Sequence, residues 1–153
     1  DRHLISSIDR YRARNANCLL NIGPKPSGKL PREGVAKLKR IGKWYKAIKE
    51  SFEDVTPVPE LVTNRDIMLT KRENTLYVHL NRPLQGNAIL LKPINSLPKK
   101  ATLLNDGREI ESIVRLNPSG HAEGKAYLNL VNLPVNESCN TVLVIKLEFD
   151  DLV

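Results

Sequence analysis

Asn17-Cys18-Leu19-Leu20-Asn21-Ile22-Gly23-Pro24 is a short, nearly all-apolar run that stops at a Gly-Pro pair. It lacks clean alternation, which is how a parallel strand buried on both faces reads. The segment before it is amphipathic. Over residues 3–14, Leu4, Ile5, Ile8 and Tyr11 fall at helical spacing, and Arg10, Arg12 and Arg14 gather near the C-terminal end, where cations suit the helix dipole. Asn15-Ala16-Asn17 breaks that pattern. After the run, Gly23-Pro24-Lys25-Pro26-Ser27-Gly28 is dense in turn formers. Pro31 then opens a second helix, where its missing N–H costs nothing, with Glu33 in the first turn. Val35, Leu38, Ile41, Tyr45, Ile48 and Phe52 form one apolar stripe with Trp44 at its margin, which predicts a helix over residues 31–52. Helix, loop, short buried strand, loop and helix is the grammar of an α/β fold.

Thr56-Pro57-Val58-Pro59 reads as a linker, and no helical period survives beyond it. Short alternating runs take over: Asp66–Lys71, Thr75–Leu80, Ala88–Lys92, Lys100–Leu104, Glu109–Leu116, Ala126–Leu130 and Thr141–Phe149. In Thr75–Leu80, Leu76, Val78 and Leu80 point one way while Tyr77 and His79 point the other. Turn signals separate the runs at Glu73-Asn74, Arg82-Pro83, Asn105-Asp106-Gly107, Asn117-Pro118-Ser119-Gly120 and Pro134-Val135-Asn136-Glu137. Asp106-Gly107 is a strong two-strand hairpin signal. Seven or so strands at this spacing predict an antiparallel sandwich.

Charge divides along the same line. Residues 1–55 hold 13 Lys and Arg against 6 Asp and Glu, whereas residues 56–153 hold 11 against 11, so the whole +7 belongs to the helical part. A basic patch raises the possibility of nucleic acid. Here Lys37, Arg40, Lys43 and Lys46 recur opposite the apolar stripe, which reads as a solvated helix face, and no nucleic-acid partner is expected. With 41% hydrophobic and 27% charged residues the composition is that of a globular protein. The longest apolar runs are too short for a transmembrane helix, so no membrane partner is expected. No signal peptide is evident, and the opening Asp1-Arg2-His3 falls in mid-pattern without a Met, so a mature, cleaved or excised product is expected.

Little in the chain looks catalytic. His3, His79 and His121 lie far apart, no His, Cys, Asp or Glu group has metal-ligand spacing, and there is neither a nucleophile elbow nor a glycine-rich phosphate loop. Cys18 and Cys139 do not make a disulfide framework and read as buried free thiols. His79 reads as a half-exposed strand filler, and Glu50, Glu53 and Asp54 read as solvated charge at a helix end. The Asn136-Glu137-Ser138 sequon fits a surface loop.

Asn17 to Pro24, followed by Pro26-x-Gly28-x-Leu30-Pro31 and Leu38-x-x-Ile41-Gly42-x-Trp44, resembles the end of the catalytic domain of α-L-fucosidases of glycoside hydrolase family twenty-nine. Thr75-Leu76-Tyr77-Val78-His79 and Val142 to Leu147 resemble strands of that family's C-terminal sandwich. Cys18, Lys25 and Ser27 depart from the family pattern. The resemblance implies an α+β fragment. Residues 1–55 would be the C-terminal remnant of a (β/α)-barrel catalytic domain, its last strand and flanking helices, and residues 56–153 an antiparallel β-sandwich of seven to eight strands.

The resemblance also implies that the intact enzyme is a retaining hydrolase releasing terminal α-linked fucose from glycans. Its parent would be secreted, periplasmic or lysosomal. A full barrel takes roughly 250 residues, and the nucleophilic Asp and the fucose-binding histidines of the family have no matching positions in this chain. No catalytic, substrate-binding or metal residue and no cofactor is therefore assigned. The chain alone is expected to be structural or accessory and not to hydrolyse an aryl α-fucoside. The alternative is a carbohydrate-binding sandwich without hydrolytic activity, although residues 56–153 offer only Tyr77, Tyr127 and Phe149 as aromatics. A parallel strand at residues 18–22 needs neighbours that the chain does not supply. The N-terminal part is thus expected to pack on the sandwich, to form a homo-oligomer, or to associate with a missing N-terminal barrel.

Overall fold

The computed structural model describes residues 1–61, 64–92, 94–116, 124–136 and 139–152. Helix α1 spans Arg2–Arg12. It ends where Asn15 turns left-handed (φ 56°) and Ala16 N–H bonds Tyr11 O at 2.9 Å, a Schellman-type stop. Helix α2 spans Arg32–Ile48 and tightens into a 3-10 turn, Lys49–Phe52, close to the expected limits.

Among the described residues eight strands follow: β1 (Thr56–Pro57), β2 (Met68–Arg72), β3 (Thr75–Leu80), β4 (Ile89–Leu91), β5 (Lys100–Leu103), β6 (Glu111–Leu116), β7 (Ala126–Val131) and β8 (Leu143–Glu148). Each of the seven alternating runs overlaps one of β2–β8, with β2 and β7 extending one residue past theirs. All pairings are antiparallel, in a five-stranded sheet ordered β1-β2-β3-β8-β5 and a three-stranded sheet ordered β4-β7-β6. Leu76, Val78, Leu80, Leu143, Ile145 and Leu147 of the larger sheet meet Ile89, Leu91, Leu128 and Leu130 of the smaller one in the sandwich core.

The period-2 rule places Tyr77 and His79 on the opposite face, but that face is not solvated. Both residues are fully buried, because the helices cover them. Ile5, Ala13, Ile41, Trp44, Ile48 and Phe52 pack on Tyr77, Val142 and Val144 in a second core. The molecule therefore has three layers, helices on sheet on sheet. Of the three expected fates of the N-terminal part, packing on the sandwich is realised.

Two expectations about local structure need correction, and a third is realised over a short span. Cys18–Ile22 forms no strand, and Leu19 is 95% exposed. A parallel strand exists only through its neighbours, and the strands of this chain are engaged elsewhere. Thr56–Pro57 of the expected linker is paired as β1 on the edge of β2, where a proline is tolerated. Asp106-Gly107 does turn the chain, with Gly107 at φ 83° and its N–H on Leu103 O at 2.8 Å. A short hairpin follows, with Leu103 N–H on Arg108 O at 2.8 Å, Ile110 N–H on Ala101 O at 2.9 Å and an antiparallel bridge between Thr102 and Glu109; beyond it β5 pairs with β8 and β6 with β7. The Asn117–Gly120 turn, His121 and Glu137 and Ser138 of the sequon lie outside the described residues.

Candidate functional site

The residue types that carry chemistry converge at the helix–sheet interface. Asp9 sits one turn after Ile5 and one turn before Ala13, so it is carried into the interface with them. There its Oδ1 accepts from His79 Nδ1 at 2.7 Å and its Oδ2 from Asn81 Nδ2 at 2.7 Å. Asn81 Nδ2 also donates to Ser6 O at 2.8 Å. On the far side of the ring, His79 Nε2 lies 3.3 Å from Thr70 Oγ1, which donates its hydrogen to Ser51 O at 2.9 Å. Phe52 stacks on the imidazole with ring centroids 5.3 Å apart. His79 is thus not a half-exposed filler. Its face of the sheet is covered by a helix that a strand pattern cannot reveal.

A carboxylate, a histidine and a hydroxyl in sequence resemble a nucleophilic triad. The burial rules that out: Asp9, His79 and Thr70 are all at 0% exposure, and no substrate atom can reach the hydroxyl. The hydroxyl is also committed to a backbone carbonyl. What this arrangement can do is fix α1 to β2 and β3 through satisfied buried polar groups. A sequence signal for Asp9 did exist, in the Ile5, Asp9, Ala13 spacing.

A second cluster lies beneath the 3-10 turn. Glu50 accepts from Lys146 Nζ at 3.3 Å and from the Tyr77 hydroxyl at 3.3 Å, and it faces Arg72 at 3.6 Å. Arg72 also donates to the Tyr77 oxygen at 2.6 Å. Burial first, and then the Glu50 carboxylate, push the Tyr77 hydroxyl up to about 12. Glu50 is therefore engaged rather than merely solvated, whereas Glu53 and Asp54 are exposed. His3 is exposed on α1. Among the described residues no three His, Cys, Asp or Glu come together as a metal site. Cys18 and Cys139 are free and exposed, which corrects the buried reading. Cys18 sits on the run without strand partners, and Cys139 precedes β8 instead of joining it.

An open cleft of about 490 Å³ lies between the end of α1 and the β1–β2 edge. Arg10 lines it from the helix and Arg14 from the turn after it, Arg65 and Arg82 line it from the loops flanking β2 and β3, and Pro57, Ile67, Met68 and Leu69 contribute apolar residues. A shallower cleft holds Ile8, Arg12, Asn17, Cys18, Leu19, Leu20 and Tyr45. Within it, Arg12 Nε is buried with no partner among the described residues.

No curated protein matches the chain. Residues 1–50 match the family model of α-L-fucosidases. Among solved structures, α-L-fucosidase isoenzyme 1 from Paenibacillus thiaminolyticus aligns over 98% of this chain and 34% of its own, with 26% identity and a TM-score of 0.76. The α-L-fucosidase from Vibrio sp. strain EJY3 aligns over 96% of this chain and 25% of its own, with 28% identity and a TM-score of 0.76. Thermotoga maritima α-fucosidase, at 19% identity and a TM-score of 0.65, shares the fold over 95% of this chain and 33% of its own. The chain thus carries the α-L-fucosidase pattern over residues 1–50 and has the fold of the C-terminal quarter to third of those enzymes.

Proposed function

We propose that this chain is the non-catalytic C-terminal portion of an α-L-fucosidase, a retaining glycosidase that releases terminal α-linked L-fucose from glycans. Its role is to close and brace the part that bears the catalytic carboxylates. One observation carries the reading. Residues 17–24, inside the segment that matches the family, make no backbone hydrogen bond among the described residues, and they expose Leu19 and Leu20. Backbone polar groups and large apolar side chains left together in water fit a strand whose neighbours lie elsewhere. Barrel strands on either side would supply both pairing and cover. The unpartnered Arg12 Nε beside this run also calls for an acceptor from outside the chain.

A carbohydrate-binding sandwich is supported less. Tyr77, Tyr127 and Phe149 are all buried, so none of the aromatic rings of residues 56–153 can stack on a sugar. The test is hydrolysis of an aryl α-L-fucoside by the 153-residue chain and by the longer product of its gene. We expect no turnover from the first and saturable turnover from the second. Hydrolysis by the short chain, free of contaminating enzyme, would overturn the accessory role. An inert longer product would overturn the fucosidase reading.

A further inference from the structure

We propose that the cleft between α1 and the β1–β2 edge binds the oxyanions, sulfate or carboxylate, of an acidic glycan. Its walls include four arginines from three separate stretches of chain: Arg10 near the end of α1 and Arg14 just beyond it, Arg65 from the loop before β2, and Arg82 from the segment after β3. Asp66 pairs with Arg82 at 3.5 Å. The side chains of Arg10, Arg14 and Arg65 have no hydrogen bond or ion pair among the described residues. Like charges lining one cleft repel. The α1 dipole offsets part of that repulsion, and a bound anion would offset the rest. A guanidinium fork matches sulfate and carboxylate in a bidentate manner.

The walls are held in place before any ligand arrives. Asn81, next to Arg82, is bonded to Ser6 O and Asp9 of α1, and Arg82 N–H donates to Asp66 O at 3.3 Å. The apolar surface of Pro57 and Met68 suits the C–H face of a sugar ring better than a bare ion. The oxyanion half of this assignment rests on the cleft alone, and the glycan half rests on the function proposed above.

Calorimetric titration of the full chain at low salt tests it, with four probes: a heparin-derived hexasaccharide, a neutral fucosylated oligosaccharide, inorganic sulfate, and single-stranded DNA of matched charge. We expect the hexasaccharide to bind and the neutral sugar not to. Arg10→Ala with Arg65→Ala should weaken hexasaccharide binding about tenfold, two charge-assisted contacts being lost. Lys37→Ala with Lys43→Ala, on the exposed face of α2, should weaken it less than about twofold, as screened distant charges do. Absence of binding, equal loss in the two variants, or equal affinity for DNA would overturn the proposal. A hexasaccharide no tighter than sulfate would overturn its glycan half. Hydrolysis of a small aryl fucoside by the longer product should be unchanged by Arg10→Ala with Arg65→Ala, so this proposal and the fucosidase reading fail separately.

Discussion

Asp9, His79 and Asn81 form one buried polar cluster, with Asp9 2.7 Å from His79 Nδ1 and 2.7 Å from Asn81 Nδ2, and Thr70 Oγ1 3.3 Å from the far side of the ring. Removing Asp9 strands the buried His79 and Asn81 nitrogens, so Asp9→Ala should lower the unfolding free energy by about 1–3 kcal/mol for each group left unsatisfied, whereas Asp9→Leu with His79→Leu should cost less than the two single changes together. Urea titration measures both. Tyr77 gives a prediction in pH. Its hydroxyl holds its proton up to about 12 in the folded chain against 10.0 otherwise. The folded state is then the more protonated one between these values, and stability falls as pH rises through that window. The contribution is intact below pH 10 and lost above 12, about 2–3 kcal/mol in all. Urea midpoints of Tyr77→Phe should decline less steeply than those of the parent across that range.

At the scale of elements, the barrel neighbours proposed for residues 17–24 would cover Cys18 as well. Both thiols should react with a chromogenic disulfide reagent without denaturant in the 153-residue chain. Cys18 should become protected, and Cys139 should not, where a barrel covers residues 17–24. A Cys18 that is inert in the short chain would show that the run is already covered. The strands of the sandwich were legible because alternation needs only a sheet with one buried face, and runs such as Thr75–Leu80 carry it plainly. The helix stripe was legible for the same reason, although its centre was misjudged. Trp44, read at the margin, is buried and donates Nε1–H to Val142 O at 3.0 Å, while Leu38 is half exposed. What the sequence could not display was the partner of each face. The β3 pattern does not say that α1 and the 3-10 turn cover His79, and an apolar run such as Cys18–Ile22 reads the same whether its neighbours are present or absent. The arginine cleft escaped for a related reason. Arg10, Arg65 and Arg82 are remote in sequence and meet only once α1 is docked.

The whole molecule turns on one sheet with two apolar faces. Leu143, Ile145 and Leu147 of β8 point into the sandwich, and Val142 and Val144 at its start point to the helices. From Val142 to Ile145 each residue is therefore packed on one side or the other, and β8 lies between β3 and β5 in the larger sheet. Trp44 and Asn105 both donate to Val142 O, at 3.0 and 2.9 Å, and Asn105 Oδ1 accepts from Val144 N–H at 2.9 Å, so helix layer and sheet share hydrogen bonds as well as apolar contact. If the helices left, Tyr77, His79 and Val144, none of them more than 0% exposed, would be opened to water together. Burying such side chains is worth about 1.5–3 kcal/mol each, so a helix-free sheet would lie well above the native state. His79 would lose its buried hydrogen-bond partner Asp9 as well. We therefore expect residues 1–55 and 56–153 to unfold in one transition. Trp44 fluorescence, which reports the helix layer, and far-ultraviolet circular dichroism should give coincident urea midpoints. If the fluorescence change came first, the two parts would be separate folding units, and the helix layer would be held mainly by whatever covers residues 17–24.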